Sequence, residues 1–264
     1  MKRFIIVKHG AKEIANCLIN DMSIFAYALE TGASVINATY FEKTPLLRFF
    51  HTFYSRFVDI ATRKTCGIWT TGTPKFLPPT APMFKKFDEC ETLYFFGWLF
   101  RNPIGLERYR EALIAKFAPN EHVQRKINGI MTPLQSKRMR IGIHIRQKPF
   151  KGFGNGEFLI PRSRVQEIVN EYLLEHHMKK GDVAFIEVSD LWKQKDDLIG
   201  LYLLSRCDVV IGDNSTFSSL AAWFGNVPHV VTTNEPIDWP YYRGKINYFD
   251  NKYETFTHGS LLYS

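Results

Sequence analysis

"RFIIVKHGAKEIANCLINDMSIFAYALETGASVINAT", Arg3 to Thr39, decides the fold class. Its first run, RFIIVKHG, is a short apolar strand that ends in a glycine loop. From Glu13 to Gly32 the apolar residues Ile14, Leu18, Met22, Phe25 and Leu29 recur at helical spacing, and Gly32 is a good C-terminal stop. "ASVINAT" returns to a strand pattern. Strand, helix, strand predicts a parallel sheet with Rossmann-like winding.

Working outward, "TLYFFGWLFR" reads as a strand and "GLERYREALIAKFAP" as a helix stopped by Pro119. The aromatic segment "FEKTPLLRFFHTFYSRFVDIATRK" reads as helical, and "CGIWTTGTPKFLPPTAPMF" as loop. "MTPLQSKRM" reads as a linker. A second α/β series follows: "RIGIHIR" strand, "PRSRVQEIVNEYLLEHHMKKG" helix with Gly181 beyond its end, "DVAFIEVSD" strand, "QKDDLIGLYLLSRC" helix, "DVVIG" strand, "STFSSLAAWFG" helix and "VPHVVTT" strand. The expected architecture is α/β with two Rossmann-like lobes, residues 1–130 and 131–264, and a ligand cleft between them.

Composition narrows the class. Of the 264 residues, 45% are apolar and 23% charged, as in a soluble globular enzyme. No apolar run is long enough to span a bilayer. The N-terminal apolar run is too short for a signal-peptide core, and the expected location is cytoplasmic. Cys17, Cys66, Cys90 and Cys207 are scattered, which suggests neither a zinc site nor a disulfide framework, and most read as core filler. The net charge of +8 is uneven. Residues 1–130 carry 18 Lys and Arg against 11 Asp and Glu, and residues 131–264 carry 16 against 15. A basic first half suits a phosphorylated ligand or an anionic surface, or is solvated charge alone. There is no RNA-recognition signature, zinc-finger spacing or dense Lys/Arg block, so nucleic acid is not an expected partner.

The strand ends carry the chemistry. In "IGIHIR", Ile141, Ile143 and Ile145 share one face while Gly142, His144 and Arg146 share the other. Arg146 falls at the strand's end, where a guanidinium can hold a phosphate with paired hydrogen bonds. His144 can donate to a phosphate or ribose oxygen. The plainer alternative is a core histidine and an exposed arginine. In "DVVIGDNSTFSSLAAWFGN", a strand breaks directly into a helix. The helix start leaves backbone N–H groups without partners and is the positive end of the dipole. Asn214, Ser215, Thr216 and Ser218 can present hydroxyls and N–H groups there to a phosphate. N-capping by Asn214 or Ser215 would explain the same residues. Asp190, ending "FIEVSD", can accept from a ribose or from the N–H edge of guanine, or can cap a loop or helix.

"IGIHIR" with "NGEF", and "GDNSTFSSLAAWFGNVP", resemble the donor lobe of α-1,2-fucosyltransferases, within the wider fucosyltransferase group that carries an H-x-R motif. "HGAKEIANCLINDMSIFAYALETGASVIN" is similar to that family's first loop and helix, and "GWLFRNPIGLERYREALIAKFAP" to the segment before its donor lobe. The resemblance implies a GT-B fold, a GDP-sugar donor, most typically GDP-fucose, and inverting transfer without a bound metal or other cofactor. It implies that Arg146 holds the diphosphate with His144 beside it. Ser215, Thr216 and Phe217 would line the phosphate pocket, Asp190 would read guanine, and Asn16 would face the cleft from the acceptor lobe. The implied acceptor is a glycan, such as a surface polysaccharide or lipopolysaccharide precursor.

One departure matters. The family motif runs H-x-R-x-x-D followed by an aromatic, and here "HIRQKPF" places Pro149 where the Asp belongs. That substitution admits a second expectation, a nucleotide-sugar-binding protein without activity. Lys148 can add charge near the diphosphate. Among His9, Glu13, Asp21 and Glu30, His9 at its strand end is the best candidate for a general base, and Asp21 and Glu30 read as helix-surface residues. "NAT" at Asn37 and "NST" at Asn214 match glycosylation acceptors that a cytoplasmic chain would not use. The stripe "LLRFFHTFYSRF" with Arg48, Arg56 and Arg63 can lie on the inner membrane face near a lipid-linked acceptor, or pack as core.

Overall fold

The computed structural model describes residues 3–7, 14–37, 65–70, 90–97, 100–145, 159–189 and 197–242. His9, Glu13, Arg146, Lys148, Pro149, Asp190 and the aromatic segment 41–64 lie outside the described residues. The chain divides into two compact units between Ala118 and Pro119.

In the first unit, β1 (Phe4–Val7) leads to α1 (Ile14–Thr31), which is followed by β2 (Ser34–Asn37). Gly32 closes the helix at φ +66, as its position in the sequence implied. β3 (Thr65–Thr70) and β4 (Thr92–Gly97) complete a four-stranded sheet of order β2-β1-β4-β3, and all its pairings are parallel. β3 falls within a segment that reads as loop, because its six residues include Gly67 and border a proline-rich stretch. Ile5 and Val7 of β1, Tyr27 of α1, and Leu93 and Phe95 of β4 share one buried cluster with Phe100. Phe95 and Phe100 meet edge-on at 4.9 Å. The expected helix 105–119 is two short helices, α2 (Pro103–Arg108) and α3 (Arg110–Lys116), interrupted at Tyr109.

Asp21 and Glu30 are not on the surface. Asp21 is buried, and Glu30 is wedged between Asn102, whose Nδ2 donates to it at 3.4 Å, and Arg108 at 3.7 Å. Burial raises the Glu30 carboxyl above its ordinary value against the pull of both partners. Cys90 is buried in the core cluster, as expected, but is also disulfide-bonded, which corrects the expectation that the cysteines form no disulfide. Cys17 and Cys207 are buried thiols outside any disulfide.

The second unit opens with α4 (Glu121–Met131), capped by the Asn120 side chain, and a 3-10 turn at Thr132–Leu134. The stretch that reads as a linker is therefore a helix end, a turn and the start of a strand. β5 (Met139–Ile145), α5 (Arg162–Glu175), β6 (Val183–Ser189), α6 (Asp197–Leu204), β7 (Val209–Gly212), α7 (Thr216–Gly225), β8 (His229–Val231) and the short α8 (Trp239–Tyr242) follow. The sheet order is β6-β5-β7-β8, again all parallel. α5 ends through His177 in the left-handed region, φ 52, and Gly181 lies later, in a 3-10 turn.

Both faces of β5 are covered, as parallel sheets require. Ile141, Ile143 and Ile145 join Val165, Ile168, Val169 and Leu173 of α5 in one cluster. The opposite face meets α6 and α7. There Gly142 leaves no room for a Cβ, which would stand 2.9 Å from Leu204 and 3.0 Å from the Cys207 sulfur. At the far, N-terminal end of the strands, Arg140 clamps Asp208 through Nε at 3.0 Å and Nη2 at 2.7 Å.

Candidate functional site

β5 connects to β6 on one side of itself, and the chain then crosses to β7 on the other. α5, after β5, packs on the Ile141 face of the sheet and α7, after β7, on the His144 face, and such a switch point opens a crevice at the strands' C-terminal ends. His144 is the penultimate residue of β5, and the parallel register sets it beside Gly212, the last residue of β7.

His144 is buried, 5% exposed, and fixed from two directions. Its Nδ1 lies 2.7 Å from Ser218 Oγ. Its ring stacks on Phe217 with centroids 4.7 Å apart and planes 23° from parallel. Gly212 makes this possible: a Cβ there would sit 2.7 Å from Ser218 Oγ and 2.9 Å from His144 Cβ.

The turn from β7 into α7 is stitched by its own backbone. Ser215 N–H donates to the Asp213 carbonyl at 2.7 Å, and Thr232 N–H donates to the Gly212 carbonyl at 2.9 Å. The Thr232 hydroxyl reaches the buried Asp213 carboxylate at 3.3 Å. Ser215 is the N-cap, its Oγ accepting from Ser218 N–H at 3.4 Å and lying 3.3 Å from Ser218 Oγ. The capping reading of Ser215 is thus correct, and the cap stands next to His144. α7 ends at Asn226 in the left-handed region, φ 53, after Gly225, where a Cβ would strike the Ser205 carbonyl at 2.4 Å.

Under this turn lies His229, fully buried, with Nδ1 3.2 Å from Ser219 Oγ. Burial pushes its pKa down to about 4, against hydrogen bonds to the backbone of Gly212 and Asp213. It is a neutral structural histidine at physiological pH.

Of the expected site residues, the structure gathers His144, Asn214, Ser215, Thr216 and Phe217 at one strand-end and helix-start. Asn16 belongs to the first unit, in the first turn of α1, where its Oδ1 accepts from Arg101 Nη2 at 3.5 Å. Arg101 itself escaped the sequence reading. It is 3% exposed, donates to the Phe100 carbonyl at 2.9 Å, and is pulled down to about 9 by burial. Its one sequence signal is its place just after the β4 strand and before the Asn102-Pro103 helix start. Ser218 read as one more hydroxyl, and its pairing with His144, 74 residues away, was not legible. Among the described residues, no group of three or more His, Cys, Asp or Glu is placed to hold a metal ion, and no helix is long and apolar enough to cross a membrane.

No protein-family model matches the chain, and no curated protein matches it in sequence. Solved structures do match in fold. A mutant of Arabidopsis thaliana FUT1 in complex with GDP aligns with a TM-score of 0.54 at 12% identity, over 91% of this chain and 73% of that one. POFUT1 in complex with GDP-fucose aligns at 0.53 and 10% identity, over 87% and 98%. The fucosyltransferase NodZ from Bradyrhizobium aligns at 0.51 and 15% identity, over 86% and 94%. The chain has a GT-B-like α/β fold with two parallel sheets.

Proposed function

We propose that the protein is a glycosyltransferase that takes fucose from GDP-fucose and transfers it to a glycan, with the donor diphosphate held by the second unit. One observation carries this reading. His144 and the Ser215–Phe217 helix start converge at the switch point of a parallel sheet, in a fold shared with proteins solved with GDP or GDP-fucose.

The chemistry follows from the charges. Glycosyl transfer from a nucleotide sugar breaks the bond between the anomeric carbon and the β-phosphate oxygen, and negative charge grows on the leaving diphosphate. Fixed donors aimed at that charge lower the barrier, because they need no reorganisation as it develops. The start of α7 supplies N–H groups and the positive end of the helix dipole, Thr216 supplies a hydroxyl, Ser215 lines the pocket as the helix cap, and the His144 imidazole supplies a ring N–H. Phe217 gives the ring a flat wall. Arg146, two residues beyond His144, supplies the cation, and Asp190, just past β6, reads the guanine edge. The sugar leaves through a loose, cationic transition state, so a general base has little to do, and His9 is the candidate for that task. In this reading the first unit, with Asn16, serves the acceptor.

Inversion at the anomeric carbon, membrane contact through the 41–64 stripe, and the polysaccharide or lipid-linked nature of the acceptor belong to the same proposal. The disulfide at Cys90 favours an oxidising compartment over the expected cytoplasm. The rival reading, a binding protein that has lost activity, rests on Pro149. Incubation with GDP-fucose and a panel of glycans separates the two. Release of GDP that depends on both glycan and His144 supports transfer. GDP binding without turnover on any glycan supports the rival.

A further inference from the structure

We propose that Ser218 is a positioning residue that fixes the tautomer of His144, placing the ring proton on Nε2. The proposal deepens the donor-site reading and rests on it for the ligand, a nucleoside diphosphate.

The geometry is specific. Ser218 is fully buried in the first turn of α7, and its Oγ has two polar neighbours, His144 Nδ1 at 2.7 Å and Ser215 Oγ at 3.3 Å. A neutral imidazole has one donor and one acceptor nitrogen, and the partner of one nitrogen decides the state of the other. Ser215 Oγ already accepts the Ser218 N–H, so its own proton is available to Ser218 Oγ. Ser218 then donates to Nδ1, and the hydroxyl chain Ser215 to Ser218 to His144 runs in one direction. Nε2 keeps its proton and is a donor, the role that an anionic diphosphate demands. Stacking on Phe217 fixes the ring plane, so Ser218 has only to settle which nitrogen carries hydrogen. Gly212 contributes by having no Cβ where the two side chains meet.

The test is long-range nitrogen-15 NMR of histidine-labelled full-length protein at mildly alkaline pH. The His144 signal is assigned by its loss in His144→Gln. The expected result is an unprotonated Nδ1 and a protonated Nε2 in the wild type, and a shift toward mixed tautomers in Ser218→Ala, with GDP binding weakened roughly tenfold. A proton on Nδ1 in the wild type overturns the proposal, and so does an unchanged tautomer in folded Ser218→Ala. If Ser218→Ala does not fold, the wild-type spectrum alone decides. Failure of the wild type to bind GDP would sink the donor reading, while the tautomer result would stand or fall separately.

Discussion

Gly212 is where backbone geometry and site chemistry meet. The parallel register sets it beside His144, and a single methyl group would collide with Ser218 Oγ, His144 Cβ and, at 3.2 Å, the His144 carbonyl. Gly212→Ala should therefore cost about 1–3 kcal/mol of stability, the scale of overpacking, and also weaken GDP binding. Urea unfolding and titration of the same sample check both effects. His144→Ala should weaken GDP binding by about 1.5–3 kcal/mol, the scale of a hydrogen bond to a charged group, and should also lower stability, because it removes a buried ring stacked on Phe217 and takes a partner from Ser218 Oγ. Equal affinity in wild type and His144→Ala would remove the imidazole from the site. The His144–Ser218 contact was not readable in one sequence, because it joins residues 74 apart and depends on the pairing of β5 with β7. The face on which His144 lies was readable, because strand side chains alternate.

At the scale of elements, the turn from β7 to α7 stands on a buried neutral histidine. His229 has a folded pKa of about 4 against an ordinary 6.5. The unfolded chain therefore binds a proton that the folded chain refuses. The stabilising effect is complete above pH 6.5 and is lost as pH falls toward 4. The loss is on the order of 3 kcal/mol. Denaturant midpoints measured across that window should fall steeply in wild type and less so in His229→Gln, and parallel curves would refute this assignment. Elements with a broad apolar stripe and a clear stop, such as α1 with Gly32, were legible from spacing. α4 was missed because Val123, Ile127 and Met131 form a stripe only one residue wide in a charged segment. The break at Tyr109 between α2 and α3 followed no breaker residue in the sequence. Packing overrides local propensity in such places.

At the scale of the molecule, two parallel sheets in one chain were expected from the two α/β series, and both are present, the first with β3 as a strand that the sequence reads as loop. The division between units lies at Ala118–Pro119, so α4 goes with the second unit. The second sheet is also tied at the end opposite the site by the Arg140–Asp208 pair. Although burial alone would raise the Asp208 carboxyl, its bonds to Arg140 hold it below its ordinary value. Asp208→Asn should thus lower stability by up to about 1 kcal/mol, since the pair is partly exposed, while leaving GDP affinity unchanged. Loss of affinity in that variant would mean that the site depends on the whole sheet and not on its C-terminal edge.

The central claim is that the second unit holds a guanosine diphosphate at the His144–α7 junction. The most direct measurement is a calorimetric titration of the wild-type protein with GDP, UDP and ADP, with EDTA present. The account predicts saturable binding of GDP alone, reduced in His144→Ala. Equal binding of all three nucleotides, or of none, would contradict it.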